Sequence, residues 1–470
     1  MVVTPAQIAR HFQSADMNQD NRDYLKELAR FVCGTRLEDL SDSLVERARW
    51  VVADSLAVTA AGMQAPEMKA LAQAHFEQAM RGNAWVVGTG QRIAPLDAAL
   101  LNGTAGTWLE LDEGCIRASG HPGIQVVPAA LAYAQEHASS GAELLLAVVL
   151  GYELCGRVGA AARLFPCVHP HGTWGVIGAA VAAGRLAGLD QERMRALINI
   201  AATMGMATSY RVLHDGATVR NVFAGHSGYM GQMALRLVQS GFTGETDALK
   251  SIYGAVLSPS LDLDTLLAGL GHDWLFAEGY FKLYPTGRAV QSAIDALADA
   301  TAKAPDARVD PASIERIEIK AYRKTAVLGN SSVTNTFGAK FSVPFAVASI
   351  LQHGRAGLEC FEQAAVDNPA VAALAARVVL AEDAAYTVAY PGRQLCDLTI
   401  VLKDGARLDG HSALMKGEPG NPYQPHELMQ KFLELGAPVW GETGARDLLR
   451  HCMQLERVAD LRAAAAQFAA

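Results

Sequence analysis

The feature that most constrains the fold is a series of long apolar segments, rich in alanine and glycine, in the first half of the chain. PAALAYAQEH, AELLLAVVLGYELCGRVGAAARL and TWGVIGAAVAAGRLAGL all show helical periodicity. Small side chains let neighbouring helices approach each other closely. The pattern therefore predicts a compact, all-helical domain.

The character of the sequence changes after residue 278. IERIEIKAY, VVLA, CDLTIVL and ARLDG alternate with a period of two, and the turn Lys403-Asp404-Gly405 joins the last two as a hairpin. AKFSVPFAVASILQHG has a helical pattern, and helical periodicity returns from Gln424. A chain of 470 residues is long for one core. We predict a mainly α fold with an α+β second domain: residues 1–278 and 423–470 form the helical domain, and 279–422 form a smaller lid.

Composition excludes several classes of function. A net charge of −8 without any Lys/Arg-rich run argues against nucleic-acid binding. No apolar run approaches the roughly 18 residues of a membrane helix, and the N-terminus lacks a signal-peptide pattern. Seven scattered cysteines without a CxxC pair fit neither a disulfide framework nor a zinc site. We expect a cytoplasmic protein with no membrane partner, and its 50% hydrophobic content favours an oligomer interface.

The stretch ELDEGCIRASGHPG concentrates groups that can exchange protons. It contains Glu110, Asp112, Glu113 and His121. Pro122 should break regular structure, which predicts that His121 lies on a loop before a helix with Pro128 in its first turn. A titratable group held on a loop against a helix is typical of active sites. The alternative is a solvated or capping acidic cluster beside a turn histidine.

A second candidate stretch is FPCVHPHGTWG. His169 and His171 precede a helix that should begin at Thr173, and the positive end of a helix favours a neutral imidazole. A neutral imidazole can act as a base. Together with His121 and its acidic neighbours these side chains could instead bind a cation, but no HExxH pair is present. We predict no metal.

Three cations accompany these histidines. Arg220 precedes a helix, and Lys282 and Arg288 lie around a proline turn before another. A guanidinium at a helix N-terminus does not complement the helix dipole. Anion binding explains it better, and an acidic protein needs such a locally positive pocket to bind an anionic substrate.

Seven motifs together resemble the MmgE/PrpD family, in order and nearly end to end: ELDEGC with GHPG, GYELCGRVG, HPHGTWGVIGAAVAAGRLAGL, VRNVFAGHSG, KLYPTGRAVQSAIDAL, AKFSVPFAVA and KGEPGNPYQPHELMQKF. The family includes 2-methylcitrate dehydratase, cis-aconitate decarboxylase and iminodisuccinate epimerase. The resemblance implies a helical domain built from both chain ends, an α+β lid, a cleft between them, a homodimer, and neither metal nor organic cofactor.

The resemblance also implies roles for individual residues. His121 and His169 match the acid/base histidines of the family, and Asp112 falls in its acidic pair. Arg220 lies where the decarboxylase has a lysine that contacts substrate, and Lys282 matches the lysine that opens the lid motif.

The chain departs from the family pattern at several positions. Gly114 and Cys115 follow the acidic pair, where Thr and often His are usual. Gln291 replaces the histidine of the lid motif, and Phe345 replaces a tyrosine used by the decarboxylase. Because two proton-handling groups are missing, decarboxylation is less expected and dehydration stays open.

The reactions of this family move a proton at a carbon next to a carboxylate or carbonyl. Such a reaction needs a base and cations that stabilise the developing negative charge. The predicted catalytic set is His121, His169 and Asp112, and the predicted substrate-binding set is Arg220, Lys282, Arg288, His171 and Gln291. We expect a lyase resembling 2-methylcitrate dehydratase, acting on a small di- or tricarboxylate. The alternatives are a two-base epimerase or isomerase, a non-catalytic carboxylate binder and a metal-dependent hydrolase.

Overall fold

The computed structural model describes residues 23–464, and helices dominate the part before residue 280. The prediction of a mainly helical protein is confirmed. The longer helices of this part are Tyr24–Gly34, Asp42–Gly62, Pro66–Phe76, Pro95–Gly106, Pro122–Glu136, Gly141–Ala161, Gly175–Leu186, Gln191–Ala202 and Val222–Gln239. Shorter helices are Arg211–His214, Ala248–Ser251 and Leu263–Leu267.

The strands of the described residues form two sheets. β1 (Ala84–Val86) and β2 (Gln91–Ile93) pair antiparallel. The second sheet has the order β4-β3-β5-β6, with β3 at Ile314–Ala321, β4 at Val378–Glu382, β5 at Cys396–Leu402 and β6 at Arg407–Ser412. β4 runs parallel to β3, and the other pairs are antiparallel. The hairpin expected at residues 403–405 is confirmed.

Helices also cover the second sheet and complete the chain. Their bounds are Arg288–Thr301, Arg323–Ala326, Thr336–Ala339, Val343–His353, Gln363–Val366, Pro369–Ala375, Ala384–Ala389, Pro425–Cys452 and Leu461–Ala464. The long helix Pro425–Cys452 is interrupted at Gly441, which has a φ of 70°. The helix expected within AKFSVPFAVASILQHG is confirmed.

Buried hydrophobic side chains of the described residues separate into two large cores. The larger core contains residues from Tyr24 to Phe281 and again from Tyr423 to Leu461. The long helix Pro425–Cys452 therefore packs with the first part of the chain. The other lies between Val290 and Ile400, around the four-stranded sheet. Domain boundaries at 278/279 and 422/423 remain a prediction.

Glycines allow the central helices to pack closely. A Cβ added to Gly151 would lie 2.5 Å from the carbonyl oxygen of Gly178 on the neighbouring helix. A Cβ added to Gly103 would lie 2.8 Å from the Cα of Gly225. Both approaches are too short for any side chain, so glycine is required where these helices cross. The helix Gly141–Ala161 is apolar and long enough to cross a membrane, but 94% of its most apolar window is buried inside the protein. It therefore serves as a core helix.

One local prediction is wrong. The helix that follows His121 begins at Pro122, and Pro128 lies inside it rather than in its first turn. Proline fits the first helical position because the N–H that it lacks would have no partner there. Gly123 does not break the helix, since its N–H donates to Glu113 Oε1 at 2.7 Å. His121 thus occupies the N-cap position.

Candidate active site

The acidic stretch is buried, and its residue Leu111 belongs to the larger core. Helix Pro95–Gly106 ends four residues before Glu110, which is 1% exposed and has a φ of 56°. The hydroxyl of Thr107 donates to the carbonyl of Asn221 at 3.0 Å and ties this stretch to the turn that contains Arg220. The positive φ turns the chain, so that Glu110 and Asp112 approach cations from other parts of the sequence.

The ring of His121 is held through its Nδ1 atom. Three oxygens surround this nitrogen: Glu113 O at 2.8 Å, Asp112 Oδ2 at 2.9 Å and Asp112 O at 3.3 Å. Since all three are acceptors, Nδ1 must carry the hydrogen. In the neutral ring the lone pair is therefore on Nε2.

The second histidine stretch is fixed by hydrogen bonds to its backbone. The hydroxyl of Thr208 donates to the carbonyls of His169 and His171 at 2.6 and 3.1 Å. The N–H of His171 donates to His169 Nδ1 at 3.1 Å. Because Nδ1 accepts this bond, the hydrogen of neutral His169 is on Nε2. His121 and His169 therefore have opposite tautomers.

The imidazoles lie next to one another. His171 is between the other two, with ring centroids 4.9 Å from both His121 and His169. Gln125 connects the two stretches, because its amide donates to the carbonyl of His121 at 3.1 Å and accepts from the N–H of Gly172 at 3.2 Å. His121 and His169, which are 48 positions apart in the sequence, are thus held in one hydrogen-bonded group.

Burial keeps two of these rings neutral. Desolvation lowers the pKa of His169 and of His171 well below the usual value, and the nearby guanidinium of Arg220 lowers both pKa values further. The two side chains are therefore uncharged near pH 7, which agrees with the neutral imidazole that the sequence favoured at this helix N-terminus.

Two of the predicted cations pair with the acidic stretch. Arg220 lies in the turn Thr218–Asn221 and forms an ion pair with Glu110. Lys282 Nζ is 3.8 Å from Glu110 Oε2 and 3.7 Å from Asp112 Oδ1. Burial alone would raise the pKa of Asp112, but His121, Lys282 and Arg220 together lower it. Asp112 is therefore a carboxylate.

Arg288 is held in a fixed orientation. Its Nη2 and Nε lie 2.6 and 3.2 Å from Glu418 Oε1, and Nη1 donates to Gln291 Oε1 at 2.6 Å. Its guanidinium also stacks on the ring of Tyr280, 4.1 Å from the centroid. The amide of Gln291 donates to the carbonyl of Tyr284 at 3.0 Å. Gln291 therefore orients Arg288.

Sequence reasoning missed Lys340. Its ammonium donates to the carbonyl of Trp108 at 2.7 Å, and the residue is 5% exposed. Burial lowers its pKa to about 8, although nearby Glu110 opposes the shift. A lysine directly before an apolar helix was the available signal, since a buried lysine needs a partner.

Glu113 joins a buried network behind His121. Its carboxylate accepts from the N–H of Gly123 at 2.7 Å and from the hydroxyl of Tyr152 at 3.0 Å. Its backbone N–H donates to Asp54 Oδ2 at 3.2 Å, and Asp54 forms an ion pair with Lys431. Burial raises the pKa of Glu113 to about 7. The network connects the C-terminal helix to the segment that carries His121.

A cavity of about 650 Å³ opens beside these groups. Among the predicted site residues its lining includes His121, His169, His171, Arg220 and Arg288. Glu110, which the sequence placed in the acidic cluster without a role, also lines it. Asp112, Lys282 and Gln291 lie behind the lining and contact residues that form it.

The outer part of the cavity includes apolar side chains. Phe165, from before residue 279, and Val327, from after it, are 38% and 57% exposed, and Leu213 and Phe341 are half-buried. Phe345, by contrast, is 2% exposed within the second core. Within residues 23–464 no group of three His, Cys, Asp or Glu side chains is arranged to hold a metal ion.

Comparison with known proteins identifies the family. The chain matches the MmgE/PrpD N-terminal domain over residues 26–261 and the MmgE/PrpD C-terminal domain over residues 284–455. Together the two matches cover most of the sequence. The chain belongs to the MmgE/PrpD family, and the resemblance noted from its motifs is confirmed.

Its relatives include several cis-aconitate decarboxylases. The cis-aconitate decarboxylase-like protein oryM of Aspergillus oryzae is 25% identical over 467 residues, which cover 93% of this chain and 95% of the relative. Cis-aconitate decarboxylase of Mus musculus is 25% identical over 431 residues, with 87% and 85% covered. Cis-aconitate decarboxylase of Aspergillus terreus is 26% identical over 315 residues, 63% of either chain.

Proposed function

We propose that this protein is a lyase that acts on a small di- or tricarboxylate by moving a proton at a carbon next to a carboxylate. The observation that carries the proposal is the pair of imidazoles with opposite tautomers, His121 and His169, at one cavity beside Arg220. Membership of the MmgE/PrpD family and the named decarboxylase relatives support lyase chemistry on a carboxylate.

His121 is the proposed base. Its Nδ1–H is engaged by backbone and carboxylate oxygens, which leaves the Nε2 lone pair to take a proton. Asp112, a carboxylate 2.9 Å from Nδ1, stabilises the imidazolium that forms. General bases of this kind typically contribute a rate factor of about 10² to 10⁴.

His169 is the proposed donor. Its Nε2–H tautomer presents a hydrogen that can bond to a leaving hydroxyl or to a substrate carboxylate. His171 lies between the two rings, and its Nδ1 has no hydrogen-bond partner within the described residues. We propose that His171 binds substrate, as the sequence indicated.

Cations hold the carboxylates of the substrate. Arg220 and Arg288 line the cavity, and Lys282 and Lys340 lie near Glu110. A guanidinium can bind a carboxylate through two parallel hydrogen bonds. Negative charge that develops next to a bound carboxylate is stabilised by groups that are already in position.

Dehydration is the first candidate reaction. His121 takes the C–H proton, a carbon–carbon double bond forms and the C–O bond breaks. The leaving hydroxide is hydrogen-bonded by His169 Nε2–H and takes the proton from the His121 imidazolium, so that it leaves as water and His121 returns to its neutral form. Gln291 and Phe345 do not obstruct this route, because neither is needed to move a proton. We further propose that the reaction needs no cofactor and that the protein is a homodimer, which sedimentation velocity would test.

Decarboxylation is the second candidate, favoured by the relatives named above. In that reaction a C–C bond breaks, carbon dioxide leaves, and a protonated imidazole supplies the proton to the resulting carbanion. The two reactions therefore need opposite starting protonation states of His121.

Turnover tests the proposal directly. The purified protein is incubated with 2-methylcitrate, citrate, cis-aconitate or iminodisuccinate, and products are followed by proton NMR with a thermal-shift assay in parallel. We expect loss of water or of carbon dioxide from at least one tricarboxylate. The double variant with His121→Ala and His169→Ala should lose that activity. Epimerisation of iminodisuccinate alone, or binding without turnover, would contradict a lyase.

A further inference from the structure

The cavity is larger than a six-carbon tricarboxylate requires. If each non-hydrogen atom occupies about the volume of a water molecule, roughly 30 Å³, the cavity of about 650 Å³ holds on the order of 20 atoms, against about 13 for citrate. The proposed chemistry uses only the inner end, where the imidazoles and Arg220 are buried. The remaining space is sufficient for a substrate larger than citrate, or for solvent.

The lining of the cavity is divided by depth. The inner end is made of buried polar side chains: His121, His169, His171, Arg220 and Glu110, each at most 8% exposed. The outer end contains apolar side chains that are half-buried or exposed: Leu164, Phe165, Val168, Leu213, Val327, Leu328 and Phe341. The exposed part of the lining also includes the polar residues Arg117, Ser119, Arg163, His214 and Lys324, so the apolar side chains share it with charged ones.

Both halves of the chain contribute to this apolar wall. Phe165 and Leu213 come from the part before residue 279, and Val327 and Phe341 from the part after it. Phe165 and Val327 are among the exposed large hydrophobic residues of the described chain. Apolar surface of this kind next to a polar site marks a binding groove when it is contiguous with that site. Here one cavity contains both the apolar wall and the polar site.

We infer that the substrate is a di- or tricarboxylate that carries an apolar substituent of several carbons, such as an alkyl chain, which packs on the wall formed by Phe165, Leu213, Val327 and Phe341. The carboxylates bind at the inner end, and the substituent points outward. Exposed cations at the rim, Arg163 and Lys324, help to attract the anionic substrate. This inference rests on the proposed function and specifies its substrate class.

A homologous series of substrates tests the inference. 2-Alkylcitrates with methyl, propyl, pentyl and heptyl substituents, and the matching alkyl cis-aconitates, are compared by kcat/KM. Each methylene that reaches the wall should raise kcat/KM by roughly fourfold. Values that stay flat or fall from methyl to heptyl overturn the inference and leave the lyase proposal intact. No turnover of any member overturns both.

Variants locate the wall. The double variant with Phe165→Ser and Val327→Ser should reduce the ratio of kcat/KM for heptyl over methyl by at least tenfold. The matched control is Val379→Ser, because Val379 is also 57% exposed but does not line the cavity. The control should keep the wild-type ratio. A double variant with the wild-type ratio overturns the inference. The inference is also overturned if kcat/KM is the same across the substrate series and the double variant differs from wild type in sedimentation coefficient. The rim would then be an interface between two copies of the chain.

Discussion

The two sides of the cavity contribute different chemistry. The histidine side, from the part of the chain before residue 279, carries His121 and His169 with tautomers fixed by hydrogen bonds, and His171 between them. The lid side, from residues after 279, contributes cations: Arg288 lines the cavity, and Lys282 and Lys340 are buried behind its lining. At the two positions where the family resemblance implied a histidine and a tyrosine, this chain has Gln291 and Phe345. The proposed proton-transfer groups are thus all on the histidine side, whereas cations come from both sides, with Arg220 on the histidine side.

The largest expected effect separates the roles of the two outer histidines. Glutamine can donate a hydrogen bond but cannot act as a base. We expect His121→Gln to lower kcat by about 10² to 10⁴, and His169→Gln to lower it by only about tenfold, because the amide replaces the Nε2–H donor. Steady-state kinetics on the best substrate measure both, with His75→Gln, outside the cavity, as control. The reverse order of effects would exchange the two roles.

A second prediction concerns the network behind His121. The pKa of Glu113 is raised by burial from 4.5 to about 7, so the folded state holds this proton more tightly than the unfolded chain. The free energy of unfolding should therefore fall as pH rises from about 4.5 to about 7, by roughly 3 kcal/mol. Glu113→Gln removes this part of the pH dependence.

Urea denaturation at several pH values measures the difference between wild type and Glu113→Gln. The exposed residue Glu442 offers a control, and Glu442→Gln should leave the pH dependence unchanged. Parallel stability curves for wild type and Glu113→Gln would mean that Glu113 stays ionised across this range.

The smallest expected effect tests the lid side. Phe345 is buried in the second core, so Phe345→Tyr should place a hydroxyl among apolar side chains and reduce stability by about 1–3 kcal/mol without raising the rate. Phe165→Tyr, at the open rim, should cost little because its hydroxyl reaches solvent. An unchanged stability together with faster decarboxylation would show that position 345 still faces the reaction.

The sequence predicted the histidine side better than the lid side. His121, His169 and Arg220 were recognised because each lies in a short motif that breaks the surrounding helical pattern. The tautomers were not accessible from sequence, since they depend on Glu113 O and on the N–H of His171, which follow from the folded backbone. Lys340 was missed because its neighbours form an ordinary apolar helix pattern.

Glu110 and Pro122 show why local patterns mislead. Glu110 was one of several acids in a row, and its positive φ, its ion pair with Arg220 and its place in the cavity lining distinguish it from Glu113 only in the folded protein. The Pro-Gly pair after His121 normally indicates a break. Here the carboxylate of Glu113 satisfies the N–H of Gly123, and the helix starts at Pro122. That contact joins positions ten residues apart, whereas the rule that a Pro-Gly pair forms a turn considers only neighbouring residues.

Hydrogen exchange at carbon tests the central claim most directly. The protein is incubated in D₂O with 2-methylcitrate, with a longer 2-alkylcitrate or with cis-aconitate, and deuterium at the carbon next to a carboxylate is measured by NMR and mass spectrometry. We predict deuterium incorporation into substrate or product with wild type, and at least a hundredfold slower incorporation with His121→Gln. Ligands that raise the melting temperature but keep every carbon-bound proton would contradict the account, because the protein would then bind carboxylates without moving a proton.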